Sequence, residues 1–132
     1  MKWLIPFLAA SAALAQSPSD TSRPMDVVEL RALDTITGIV TDLTVPVGEQ
    51  IRYERLEILV EACRGTVEGE KPDAYGFLTV RDIRQDTPNF SGWMFASSPA
   101  LSAMDHPRYD VWVLRCRMSS EDASSDSAVQ SE

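Results

Sequence analysis

The sequence predicts a small all-β domain, a β-sandwich or barrel of about seven short strands with one short helix and one disulfide. Three observations predict it. Apolar side chains recur with a period of two along the middle of the chain. Clusters of Gly, Pro, Asn and Asp cut that pattern into short runs. The 132 residues, 44% of them apolar, have room for one compact domain and little more.

The strands follow in order. Val28, Leu30 and Ala32 alternate with Glu29 and Arg31, which makes a half-buried strand. Ile39, Thr41, Leu43 and Val45 are expected on one face of the next, and Pro46 to Glu49 supplies a turn. Ile51 and Tyr53 face one way. Leu56, Ile58, Val60 and Ala62 alternate with Glu57 and Glu61. Cys63 is out of phase with that apolar face, so a bulge or strand end is expected there. Arg64 to Asp73 has the composition of a loop, with Gly65, Gly69 and Pro72. Three more strands are expected over Tyr75–Ile83, Phe90–Ala96 and Tyr109–Cys116, the last two rich in aromatic and β-branched residues. Between them Ser98 can cap a helix of one or two turns, with Pro99 in its first position and Pro107 ending it. Trp112 shares strand parity with Leu114 and Cys116 and is the leading core candidate.

The ends of the chain have a different character. Met1-Lys2, the apolar run Trp3–Leu14 and the small-x-small triad Ala13-Leu14-Ala15 predict a signal peptide over residues 1–15. Gln16 follows, so no cysteine stands there to take a lipid. Residues 16–25 read as a flexible linker, 26–118 as the folded domain, and 119–132 as a disordered acidic tail. The expected address is the periplasm, as an exported, soluble protein. The only long apolar run is too short to span a bilayer. With 20 acids against 12 bases the net charge is −8, which argues against nucleic acid or anionic lipid as the main partner.

Export puts Cys63 and Cys116, the only cysteines, in an oxidising compartment, where an even count predicts a disulfide. One intramolecular pairing is possible. Such a bridge restricts the unfolded chain by roughly 4 kcal/mol in the loop-entropy account.

Two stretches carry a resemblance. The first runs through Leu30-Arg31-Ala32-Leu33-Asp34, Val47-Gly48-Glu49 and Leu56-Glu57-Ile58 to Cys63. The second runs from Phe90-Ser91-Gly92-Trp93-Met94-Phe95-Ala96-Ser97-Ser98-Pro99-Ala100-Leu101 through His106-Pro107 to Tyr109-Asp110-Val111-Trp112-Val113-Leu114 and Cys116. Together they resemble a family of small exported proteins, domain of unknown function 2155, found mainly in alphaproteobacteria. The resemblance implies a periplasmic address in a Gram-negative cell and brings no catalytic or binding residues with it. Thr35 and Arg55 depart from the Lys and Gly expected there in relatives.

Few residues suit chemistry. Asp105, His106 and Asp110 form the one local acid–base cluster, and Ser91, Ser97 or Ser98 could supply a hydroxyl to it. None of these serines lies in a Gly-x-Ser-x-Gly elbow. A single His is poor material for a zinc or iron site, and no glycine-rich phosphate loop follows a strand, so neither metal nor cofactor is expected. Glu57 and Glu61 read as a solvated strip of strand, not as carboxylates facing each other across a substrate. Asn89-Phe90-Ser91 matches the glycosylation pattern, which carries no weight in a bacterial protein. Trp93 and Phe95 share one strand face and Met94 and Ala96 the other. That leaves either a central strand covered on both sides or a docking surface built on Trp93 and Phe95. The expected function is a non-catalytic module that contacts a protein partner in the cell envelope. Its rivals are a small hydrolase using His106 and Asp110, and a glycan- or peptidoglycan-binding module.

Overall fold

A computed structural model describes residues 21–120. Eight antiparallel strands in two sheets make up the domain, a sandwich and not a barrel. They are β1 (Ser22–Met25), β2 (Val27–Asp34), β3 (Val40–Pro46), β4 (Gln50–Tyr53), β5 (Leu56–Thr66), β6 (Ala74–Asp82), β7 (Phe90–Phe95) and β8 (Tyr109–Arg117). The larger sheet runs β5-β6-β7, with β1 and β4 both paired to the far side of β5. The smaller runs β3-β2-β8.

The alternation expected from the sequence is what fills the space between the sheets. Val28, Leu30 and Ala32 from β2 meet Leu56, Ile58 and Val60 from β5, Leu78 and Val80 from β6, and Val111 and Val113 from β8. Gly76, on β6, marks a close approach of the sheets. A Cβ there would lie 2.9 Å from Val113 Cγ2. Gly76→Ala is therefore expected to destabilise the domain by about 1–3 kcal/mol through overpacking, measurable by urea denaturation.

Two β-bulges invert the pattern where the cysteines lie. In β5 the register shifts between Val60, opposite Leu78, and Ala62, opposite Phe77. Glu61 is the extra residue, and Cys63 turns inward as its broken phase required. In β8 the register shifts beside Leu114: Leu30 pairs with Val113, and Glu29 with Arg115. Both bulges point their cysteines between the sheets, and Cys63 and Cys116 are disulfide-bonded across them with a Cα separation of 5.8 Å.

The second bulge corrects the placement of Trp112. Strict alternation back from Cys116 puts Trp112 in the core. With one residue inserted at Leu114, the inward face is Tyr109, Val111 and Val113, and Trp112 is half-buried on the outside. There it lines a cleft with Pro99, Ala100, Ala103 and Asp110.

Other boundaries also move. Ser22–Met25, read as linker, pair with Cys63–Thr66 as β1, and the Arg64 guanidinium donates to Ser22 Oγ (3.0 Å) and to its carbonyl (2.8 Å). Main-chain pairing needs no apolar pattern, so composition did not disclose this strand. For the same reason β5 continues to Thr66, into the segment expected to be a loop. Ile39 falls in the turn before β3 and is exposed, so only Thr41, Leu43 and Val45 share the inward face. The helix is one 3-10 turn, Pro99–Ser102, and Ser98 makes no side-chain cap bond to it. At the other boundary, Ser119 donates its N–H and hydroxyl to the Asp26 carboxylate at 2.8 and 2.6 Å. The signal peptide expected over residues 1–15 and the part of the expected tail from residue 121 on lie outside the described residues.

Candidate functional site

Two regions of the domain hold the residues singled out by chemistry. At one end of the sandwich, where β2, β4 and β6 finish and β8 begins, a polar network fills the gap between the sheets. Its centre is Asp82, the last residue of β6. The Asp82 carboxylate accepts the Arg84 N–H at 2.9 Å, pairs with Arg55 Nη2 at 3.3 Å and lies 2.9 Å from His106 Nε2. His106 Nδ1 accepts the backbone N–H groups of Arg108 (3.0 Å) and Tyr109 (3.1 Å). A nitrogen that accepts two N–H groups carries no proton, so the ring proton is on Nε2 and points at Asp82. The His106 and Asp82 side chains are only 1% and 4% exposed. The hydrogen bond from His106, the Arg84 N–H and the Arg55 charge lower the Asp82 carboxyl from its ordinary 3.8 to about 2.

A second ionic pair lies beside the first. The Arg108 guanidinium grips Asp34, with Nη2 at 2.9 Å from Oδ2, and holds that carboxyl below its ordinary range. Asp34 Oδ1 also accepts the N–H groups of Ile36 (3.0 Å) and Thr37 (3.3 Å), and Thr35 bonds to the Arg108 carbonyl. The turn after β2 is thereby tied to the start of β8. The Tyr109 ring sits near both guanidinium groups, 5.5 Å from Arg55 and 5.3 Å from Arg108, and edge-on to Tyr53. Arg55, standing where the family resemblance suggested Gly, thus contributes a charge to this network.

The acid–base cluster read from the sequence is not assembled. The carboxylate on His106 belongs to Asp82, 24 residues away in the chain, while Asp110 lines the Trp112 cleft and Asp105 is exposed. Ser97 bonds to Asp73 (2.7 Å) and Ser91 to Thr79 (3.2 Å). Both nitrogens of His106 are occupied inside the fold, so the ring has no lone pair to present to a ligand. Among the described residues no three His, Cys, Asp or Glu side chains group to hold a metal ion. Glu57 and Glu61 face outward, Glu57 paired with Arg81 at 2.6 Å. Asn89 joins β6 to β7, accepting from the Asp82 N–H at 2.8 Å and donating to Gln85.

The second region is the outer face of the larger sheet. β7 is an edge strand, and its Met94 alone reaches deep into the core. Trp93 and Phe95 lie on the opposite face, directly across from Phe77 and Tyr75 on β6. The rings meet edge to face, Phe77–Trp93 at 5.4 Å and Tyr75–Phe95 at 5.6 Å. Arg64 borders them around a shallow depression of 320 Å³ lined by Arg64, Tyr75, Trp93 and Phe95. Thr79, Ser91 and Glu61 continue the face as a hydrogen-bonded polar strip. Trp93 is 38% exposed. The strand is therefore covered on one side, with a partly open aromatic patch on the other. Tyr75 and Phe77 were not singled out in the sequence; their odd-numbered spacing within β6 was the signal that could have found them.

Ile36 and Ile39, on the turn between β2 and β3, and Val40, at the start of β3, are all exposed, Ile36 at 72%.

The model of a family described as "Uncharacterized protein conserved in bacteria (DUF2155)" matches residues 28–116. The chain belongs to this family. The matched span runs from Val28 in β2 to the second cysteine, so it takes in both sheets apart from β1, together with the disulfide and the aromatic patch. The chain is also similar to Uncharacterized protein RP359 of Rickettsia prowazekii (strain Madrid E), 28% identical over 88 residues. That alignment covers 64% of this chain and 57% of the relative's length, so the chain spans little more than half of that protein. No solved structure matches the chain. Among the described residues no helix is long and apolar enough to cross a membrane, and the disulfide is compatible with an extracytoplasmic location.

Proposed function

We propose that this member of the family is a non-catalytic, exported binding module of the periplasm, and that it contacts another protein of the cell envelope through the aromatic patch on β6 and β7. The observation that carries the reading is the outward placement of Trp93 and Phe95 against Phe77 and Tyr75, outside the core, with Trp93 exposed and Phe95 half-buried. Aromatic side chains of this kind supply large contact area at small entropic cost, and Trp and Tyr dominate binding hot spots. Export is supported by the leader-like N-terminus and by the disulfide. The absence of a catalytic role is supported by the internal satisfaction of His106.

Replacing Trp93 tests this reading. Trp93→Ala is expected to cost about 1–2 kcal/mol, the loss of its edge-to-face contact with Phe77, and less than the roughly 3–5 kcal/mol of a core tryptophan. The same substitution is expected to abolish capture of an envelope protein when the mature chain is used as bait in its own periplasmic extract. Undiminished capture by the variant would remove the patch as the contact. The polar strip of Thr79, Ser91 and Glu61 beside the rings favours one second reading, a sugar stacked on the patch. Retention on a peptidoglycan column, lost in Trp93→Ala, would select it.

A further inference from the structure

Among the described residues β7 is the one edge strand with no charge and no proline. The other edge strands carry such guards: Arg23 and Pro24 in β1, Asp42 and Pro46 in β3, Arg52 in β4, and Asp110, Arg115 and Arg117 in β8. An unguarded edge is a template for another strand, and folded proteins ordinarily blunt it with charge, proline or a bulge. Here the neutrality extends well beyond the strand. From Thr87 to Met104 there is no charged residue, in a chain that is 24% charged.

The ladder to β6 fixes which backbone groups point outward. The Ala96 N–H donates to the Ala74 carbonyl at 2.9 Å, and the pairs Gly76–Met94, Leu78–Gly92 and Val80–Phe90 continue in step. Residues 90, 92 and 94 therefore spend their N–H and C=O groups on β6, while Ser91 and Trp93 turn theirs to the open side; at the end of the strand the Phe95 carbonyl accepts the Ser98 N–H at 3.2 Å. Among the described residues no backbone group outside β6 bonds to Ser91 or Trp93, and both residues are exposed. Ser91 and Trp93, which aim their backbone at the open edge, thus also raise their side chains on the outer face.

We infer that the partner in the reading above binds by strand addition: an extended, uncharged polypeptide segment with alternating apolar side chains pairs with β7, its apolar residues continuing the Trp93–Phe95 face. In this mode main-chain bonds supply affinity and the neighbouring side chains supply selectivity. Charge decides between another protein and a second copy of this chain. Each copy carries −8, so self-pairing opposes two like-charged bodies, whereas a neutral segment meets a neutral edge.

The inference rests on the aromatic-patch proposal and is separable from it. A benzophenone amino acid at Ser91, in the full chain expressed in its native cell, is crosslinked and the captured peptide is mapped. A segment of at least about five uncharged residues with alternating apolar positions, the length of a strand, is the expected result. Ser91→Pro removes an outward N–H and leaves the β6 ladder intact, which edge strands tolerate. It is expected to reduce binding of the mapped segment, made as a synthetic peptide, by about tenfold, with Ser91→Ala near wild type. Exchange of the Trp93 amide, which needs no variant, is expected to slow when that peptide is bound. Binding lost in Trp93→Ala but kept in Ser91→Pro, with unchanged Trp93 exchange, overturns strand addition and leaves the patch standing. Binding kept in both overturns both. A crosslink to this same chain, or to a charged or helical segment, also overturns it.

Discussion

Reduction of the Cys63–Cys116 bond is expected to lower the stability of the domain by roughly 4 kcal/mol, the loop-entropy value for a bridge of this span. Within a domain of this size that corresponds to about 15–30 °C in Tm. The location makes the effect large. The bond joins β5 of the larger sheet to β8 of the smaller, so it fixes the two layers to each other as well as shortening the unfolded chain. Sandwich strands pair largely across distant parts of the sequence, and a crosslink removes part of that closing entropy. Calorimetry with and without reductant measures the shift, and a Tm unchanged by complete reduction contradicts this role. Cys63→Ala/Cys116→Ala is expected to match the reduced protein and keep its sheet signal in circular dichroism below its lowered Tm.

Asp82→Ala is the second large effect, a loss of about 3–5 kcal/mol. The substitution strips the His106 Nε2–H and the Arg84 N–H of their acceptor and leaves the Arg55 guanidinium without its carboxylate. These are buried or half-buried donors, and an unsatisfied buried group costs more than a made bond gains. The same centre sets the acid limit of the fold. Because the Asp82 carboxyl titrates near 2 when folded and near 3.8 in its ordinary state, the unfolded chain takes up the proton first. The contribution of this group is therefore fully present above pH 3.8 and is lost as pH falls toward 2. His106→Ala removes the largest cause of that lowering. It is expected to move the midpoint of acid unfolding to higher pH, read by fluorescence across pH 2–5. A midpoint unmoved by His106→Ala would separate this histidine from the acid response.

How much of this was legible in advance depended on whether a residue's surroundings lie along its own strand. Val28-Leu30-Ala32 and Leu56-Ile58-Val60 announced their faces, because side chains alternate along a strand whatever lies opposite. Cys63 announced a bulge for the same reason: it broke the phase that Leu56, Ile58 and Val60 had set, and Ala62, expected on their face, lies beyond the bulge on the other one. The identical logic failed at Trp112. Its reference point, Cys116, lay beyond a second bulge, and one inserted residue reverses the facing of everything before it. His106 was noticed, but its partner was sought within four residues and stood 24 away.

By itself the sequence determined the strand-rich class, the pairing of its two cysteines, the alternating core and the aromatic character of Phe90–Phe95. These follow from local periodicity and counting. Only the tertiary structure decided that the strands form two sheets, that β7 is an edge, and that Trp93 looks outward while Met94 looks in. It also decided that Asp82 and not Asp110 holds His106, and that β1 joins the sheet at all. Each of those depends on which distant backbone supplies the opposite half of a hydrogen bond, and such a bond leaves no mark on the residues between its ends.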